Sequence, residues 1–279
     1  MQFLDPTIDI AFKKVFGNQA RPEILISFLN SILDLPEGEK ISSVIITDPC
    51  NQPDTPKLKR SIVDVRCTDQ KNRQFIIEVQ VENQNDYIQR SEYYVAMAIA
   101  RQLESGDPYT KIVPVIFLGI LKFKLFDGDD YLSTHRILNV KTHEVTHKHA
   151  SYTYIELPKF NKKLEELTTV ADKWISLIKN AESFHDIPSQ MQMPLELDKA
   201  LELLNKGTMT SNELAVYDIL VDERRVELSI KNTAIADSLK QGRKEAALAI
   251  AQQLLAKGID AQTIAACTGL SVDELKKLN

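Results

Sequence analysis

The sequence predicts an α/β fold, a mixed sheet flanked by helices, followed by an all-helical C-terminal region. Residues 61–82, SIVDVRCTDQKNRQFIIEVQVE, alternate apolar and polar side chains in two runs around a short turn, as a hairpin does. Residues 111–120, KIVPVIFLGI, have the length and composition of a strand buried on both faces. From about Leu164, Ala, Leu, Glu and Lys recur at helical period with almost no strand signal. That change divides the chain into a core at 1–165 and a helical region at 166–279.

Each element has its own signal. Asp5 to Phe16 and Pro22 to Leu33 carry apolar residues at helical spacing, and Gly17 with Asn18 stops the first. Ile41 to Thr47 is short and β-branched, and DPCNQPDTP at 48–56 reads as a loop. The hairpin closes through a three-residue loop, Gln70 to Asn72, where Asn72 can take the left-handed conformation. Tyr87 to Leu103 is a helix with Gly106 and Pro108 beyond its end. Two β-rich pieces, around Ile137 to Val140 and Tyr152 to Leu157, complete the core. In the tail Asp260 caps one short helix, Gly269 closes it, and Ser271 with Glu274 forms a capping box for the next.

At 279 residues, 43% hydrophobic and 26% charged, the chain can fill a sizeable core. Its start, MQFLDPTIDI, has no basic leader before an apolar stretch, and its longest apolar run is about half a membrane span, so neither secretion nor membrane insertion is expected. Cys50, Cys67 and Cys267 share no close spacing, which points to reduced thiols in a cytoplasmic protein rather than a disulfide framework or a cysteine zinc site. A net charge of -5 argues against nonspecific coating of nucleic acid, which is driven by neutralising phosphates. Local basic patches remain: Lys13 with Lys14, and KLKR at 57–60 with Lys59 and Arg60, each of which also reads as solvated surface. No GxSxG elbow, Walker loop or GxGxxG occurs, so nucleotide-cofactor chemistry has no foothold.

The hairpin carries the chemistry. Alternation places Ile62, Asp64 and Arg66 on one face of its first strand and Val63, Val65 and Cys67 on the other. In the second strand Gln74, Ile76, Glu78, Gln80 and Glu82 share a side. The loop sets a register with Asp64 opposite Glu78 and Ile62 opposite Gln80. Like charges so opposed, with Cβ atoms about 5 Å apart, are destabilising. Water, protonation of one acid, or a divalent cation must offset them. Mg2+ takes oxygen ligands, usually one or two carboxylates plus water and substrate phosphate, and it can activate a water and neutralise charge on a phosphate. The plainer reading is an amphipathic hairpin whose polar face happens to hold two acids.

The run of Asp64, thirteen residues, then GluValGln resembles the PD-(D/E)xK nuclease signature. Further stretches are similar to the bacterial recombination-promoting nuclease and transposase family: DIAFKKVFG at 9–17, IVDVR at 62–66, FIIEVQ at 75–80, QRSEYY at 89–94, IELPKF at 155–160 and TGLS at 268–271. The resemblance covers nearly the whole chain. It implies a restriction-endonuclease-like core and a DNA endonuclease that depends on Mg2+, or on Mn2+ or Ca2+, and is linked to recombining or mobile DNA. It implies a catalytic set of Asp64, Glu78 and Gln80, with the metal held by Asp64 and Glu78 and with Asp9 as an additional acid. Asp9 is explained equally well as a helix-start residue favoured by the dipole. Gln80 stands where the superfamily has lysine, and a neutral amide offers no ammonium to a developing charge. A catalytically silent fold that binds DNA or a protein is therefore the alternative. On the next helix Arg90, Tyr94, Met97 and Arg101 share a face, where Arg90 either contacts a DNA phosphate or pairs with Glu78 or Glu82.

Two other patterns compete. HEVTH at 143–147 matches the HExxH pattern of zinc proteases, with His149 as a conceivable third ligand, but Val145, Thr146 and the β-rich flanks favour strand or loop over the required helix. The tail resembles a small helix-turn-helix, yet its second helix opens on Asp273 and Glu274, which favours a packing or homo-oligomer element over a groove reader.

Overall fold

The computed structural model describes residues 2–47, 50–51 and 61–276. Two helices open the chain, α1 at Asp9–Phe16 and α2 at Pro22–Ile32. The first starts later than its periodicity suggests, because the Asp5 carboxylate accepts hydrogen bonds from the Thr7 N–H at 2.8 Å and the Thr7 hydroxyl at 2.6 Å, holding a turn there instead. Strand β1 is Val44–Thr47, and two short strands, β2 at Cys50–Asn51 and β3 at Ser61–Ile62, pair with each other. The segment expected to be all loop thus contributes β2; its other residues lie outside the described ones.

The hairpin strands are β4, Val65–Asp69, and β5, Gln74–Gln80. Helix α3, Tyr87–Ala100, leads to β6, Val115–Leu121, every residue of which is buried. Strands β7, Leu132–Ile137, and β8, His147–Glu156, follow. Strand β7 lies earlier than expected because the chain turns out of the sheet after Ile137, with Asn139 accepting from the N–H groups of Lys141 and Thr142. The order in the sheet is β1-β4-β5-β6-β8-β7, with β5–β6 and β6–β8 parallel and the other pairs antiparallel. The expected α/β mixed sheet flanked by helices is what the chain forms.

Helix α3 covers one face of this sheet through Tyr87, Tyr94, Val95 and Ala98, which pack with Ile76, Phe117 and Tyr154. Helices α4, Val170–Asn180, and α5, Leu195–Leu204, pack with α1 and α2, where Phe16 and Phe28 meet tilted with centroids 4.8 Å apart and Phe28 and Trp174 meet edge-on at 5.7 Å. Behind the IELPKF stretch stands a buried pair: Lys159 lies 2.7 Å from Glu156, whose other oxygen accepts from the Leu125 and Phe126 N–H groups and clips that loop to the sheet.

Helix α6, Ser211–Ala256, is followed by α7, Ala261–Thr268, and α8, Val272–Lys276. Two compact units result, Met1–Tyr217 and Asp218–Asn279. The composition change near Leu164 marks where strands end, whereas the first compact unit continues through α4 and α5 to Tyr217, whose hydroxyl accepts from the Asp5 N–H at 2.8 Å. In the second unit Ala251, Ile264, Leu270 and Leu275 form a small core. Its caps are those the sequence predicts: Asp260 accepts from the Gln262 and Thr263 N–H groups, Gly269 is left-handed at φ 71°, and Ser271 and Glu274 bond reciprocally.

Candidate active site

The turn of the hairpin forms as expected. Asp69 and Arg73 bracket Gln70 to Asn72, and Asn72 has a φ of 61°. Val65 pairs with Ile77 and Arg66 with Ile76, the register that would bring Asp64 opposite Glu78. The ladder, however, stops at Val65. Asp64 sits in a bend, and its Oδ2 accepts from the Val79 N–H at 2.5 Å, so a carboxylate takes a donor that a continued ladder would have used. Ile62 pairs with Cys50 rather than standing opposite Gln80. Val63 joins the cluster of Ile76 and Tyr87, so the expected common face of Val63, Val65 and Cys67 is broken at the same bend. The cause is one physical event: β4 turns away from β5 at Asp64.

Helix α1 approaches the bend. Asp9 stands close enough to disfavour charge on Asp64, and it is also paired with Lys13 at 2.8 Å. Asp64, Lys13, Gly17, Gln19 and Thr47 line a cleft of about 320 Å3. Burial pushes the Asp64 carboxyl up to about 6, against the Val79 N–H, which pulls it down; the Asp9 carboxylate raises it further. Burial also lifts Glu78 to about 7, with the Arg90 guanidinium opposing and Asp64 reinforcing. The two acids therefore feel one another.

Glu78 is 7% exposed. Its Oε1 lies 3.1 Å from Arg90 Nη2, while its Oε2 is buried without a hydrogen-bond partner among the described residues. An orphaned carboxylate oxygen next to a second carboxylate is a donor set that suits a hard divalent cation. Among the described residues no three His, Cys, Asp or Glu side chains converge as a metal cluster, and Asp9 acts on Asp64 as a neighbouring charge.

Gln80 occupies the end of β5. Its side-chain oxygen accepts from Arg90 Nη2 at 2.7 Å and its nitrogen donates to the Glu82 carbonyl at 3.2 Å. Arg90 thus takes the pairing alternative, with Glu78, and it also reaches Gln84 Oε1 at 2.7 Å and lies 5.0 Å from the Tyr87 ring centroid. Lys59 and Arg60 lie outside the described residues.

Sequence reasoning passed over Gln84, Tyr87 and Gly119. Gly119 is the β6 partner of Glu78, and a Cβ there would meet the Tyr87 hydroxyl at 2.6 Å and Tyr154 Cδ1 at 2.9 Å. An isolated glycine inside an apolar strand is the signal that marks such a close approach. The HEVTH stretch has no helix: His143 is left-handed at φ 58° and His147 begins β8.

A family model described as PD-(D/E)XK nuclease family transposase matches residues 6–231. A second, described as the C-terminal HTH domain of the Rpn/YhgA-like nuclease family, matches residues 244–279, which contain the tail expected above to pack rather than read a groove. No curated protein and no solved structure matches the chain.

Proposed function

The chain belongs to the PD-(D/E)XK nuclease family transposases, and from that membership we propose that it is a divalent-metal-dependent DNA endonuclease acting in recombination or transposition. The observation that carries the reading is the proximity of Asp64 to Glu78 where β4 leaves β5, with Glu78 Oε2 buried and unpartnered among the described residues. Asp64 and Glu78 would hold Mg2+ or Mn2+, with Asp9 beside Asp64. When bound, the ion supplies positive charge at the scissile phosphodiester and a more acidic water. The chain's own groups do the rest. The Val79 N–H fixes the Asp64 carboxylate, and Arg90 holds Glu78 Oε1 while leaving Oε2 for a ligand. Gln80 borders Glu78 as the third signature residue, and Lys13, with Lys59 and Arg60, would contact DNA phosphates.

The experiment is plasmid nicking with Mg2+, Mn2+ or Ca2+, comparing wild type with Asp64→Ala and Glu78→Ala. Cleavage lost in both variants supports the assignment, and cleavage that survives both defeats it. Gln80 in place of lysine favours one other reading, a silent nuclease fold that binds DNA or a protein. Salt-dependent DNA binding by a wild type that never cuts would select it.

A further inference from the structure

Resting on the nuclease reading, the inference concerns the charge that residue 80 lacks. A guanidinium can only donate, so the Gln80 oxygen must be the atom that faces Arg90, at 2.7 Å. The same Nη2 stands 3.1 Å from Glu78 Oε1. Gln84 holds Nη1 at 2.7 Å and the Tyr87 ring lies 5.0 Å from Cζ, so the group is fixed from several directions. Its Nε is buried without a hydrogen-bond partner among the described residues. A guanidinium stays protonated at any working pH. A permanent positive charge therefore stands one hydrogen bond from the signature position, delivered from α3 rather than from β5.

We propose that Arg90 is the positioning cation of this site, supplying through Gln80 and Glu78 the positive charge that the nuclease signature otherwise places on a lysine at position 80. A neutral amide at the signature position is then compatible with full charge at the site, because the amide relays contact with a cation carried by the neighbouring helix. A purely structural Arg90, there only to neutralise Glu78, would have the same contacts, so the test must move the charge and not merely remove it.

The measurement is single-turnover cleavage of a DNA duplex with Mn2+, paired with duplex affinity by fluorescence anisotropy in EDTA. Arg90→Met is expected to slow cleavage by about 100-fold or more, the scale of losing one group that stabilises charge in a transition state. Its DNA affinity should stay within about threefold of wild type, whereas loss of a phosphate anchor would weaken binding and lower the salt slope by about one. Adding Gln80→Lys to Arg90→Met should bring the rate back to within about tenfold of wild type, since the charge returns to β5. Gln80→Lys alone removes the oxygen that accepts from Arg90 and sets a second cation beside the guanidinium, so it should cut more slowly than wild type. A gain of tenfold or more from Gln80→Lys alone overturns the proposal, and so does a double variant as slow as Arg90→Met. The Gln80→Lys arm decides the matter if Arg90→Met folds poorly by circular dichroism. Wild type and Arg90→Met cutting equally well overturns this proposal alone; a wild type that never cuts with Mn2+ overturns the nuclease reading and this proposal together.

Discussion

The two ends of the β4–β5 hairpin hold acids in opposite states. At the closed end Asp69, with no exposed side-chain area, accepts from the N–H groups of Lys71 and Arg73, from Arg73 Nε at 2.7 Å, and from Arg73 Nη2 at 2.6 Å. Arg73 in turn donates to the Glu39 carbonyl at 2.6 Å. At the open end Asp64 has the Val79 N–H but an acid neighbour in Asp9, and one oxygen of Glu78 has no partner among the described residues. Both ends bury carboxylates on the same pair of strands. The difference is the supply of donors: a fully satisfied acid locks a turn, whereas an under-satisfied pair keeps lone pairs available to a ligand at a cost in stability.

The sharpest break is in activity against stability. Asp64→Asn and Glu78→Gln should each lower nicking by about 1,000-fold or more, if the acids act as a unit, while their melting temperatures in EDTA hold or rise. Asp69→Asn should instead destabilise by about 2 kcal/mol, because it takes the fully buried carboxylate from Arg73 and leaves it only the half-exposed Glu39 carboxylate at 3.2 Å. Its cleavage per folded molecule should be unchanged. Equal melting temperatures for Asp69→Asn and wild type would erase the contrast.

A pH series sharpens it next. Glu78 is raised to about 7 and Asp64 to about 6, from ordinary values of 4.5 and 3.8, so the metal-free folded protein holds protons that the unfolded chain has released. The sign follows: the cost is absent below the unfolded values, grows as pH rises through about 5 to 7, and is complete above the folded ones. Glu78→Gln should therefore gain on wild type across that window, on the order of 2 kcal/mol, in thermal melts in EDTA. Mn2+ added at pH 8 should raise the melting temperature of wild type and not that of Asp64→Asn. A gain for Glu78→Gln that is flat with pH removes the unpaired-acid account.

Smaller effects probe the walls. Gly119→Ala places a methyl against the Tyr87 hydroxyl and Tyr154 beside Glu78, and should destabilise by about 1 to 3 kcal/mol by chemical denaturation. At the closed end Asn72→Gly relieves a left-handed residue and should shift stability by less than about 1 kcal/mol, with nicking untouched.

Much of this was legible along the chain because it is local. Alternation and the position of Asn72 set the hairpin register, the apolar run at 111–120 marked the central strand, and Asp260, Gly269 and Ser271 announced the tail helices. The pairing of Arg90 was legible only as one of two options, since a helix face shows where a side chain can point and not what it meets. The bend at Asp64 had no local signal, because it depends on Val79 and on α1 arriving beside it.

The sequence by itself determined the family, the order of elements and the register that aims Asp64 toward Glu78, since spacing and alternation are properties of neighbours along the chain. Tertiary structure alone decided that Asp64 leaves the ladder, that one oxygen of Glu78 is buried with no partner among the described residues, and that a guanidinium from α3 stands against Gln80. Those outcomes turn on burial and on donors brought in from distant segments, which remove water from some groups and supply partners to others.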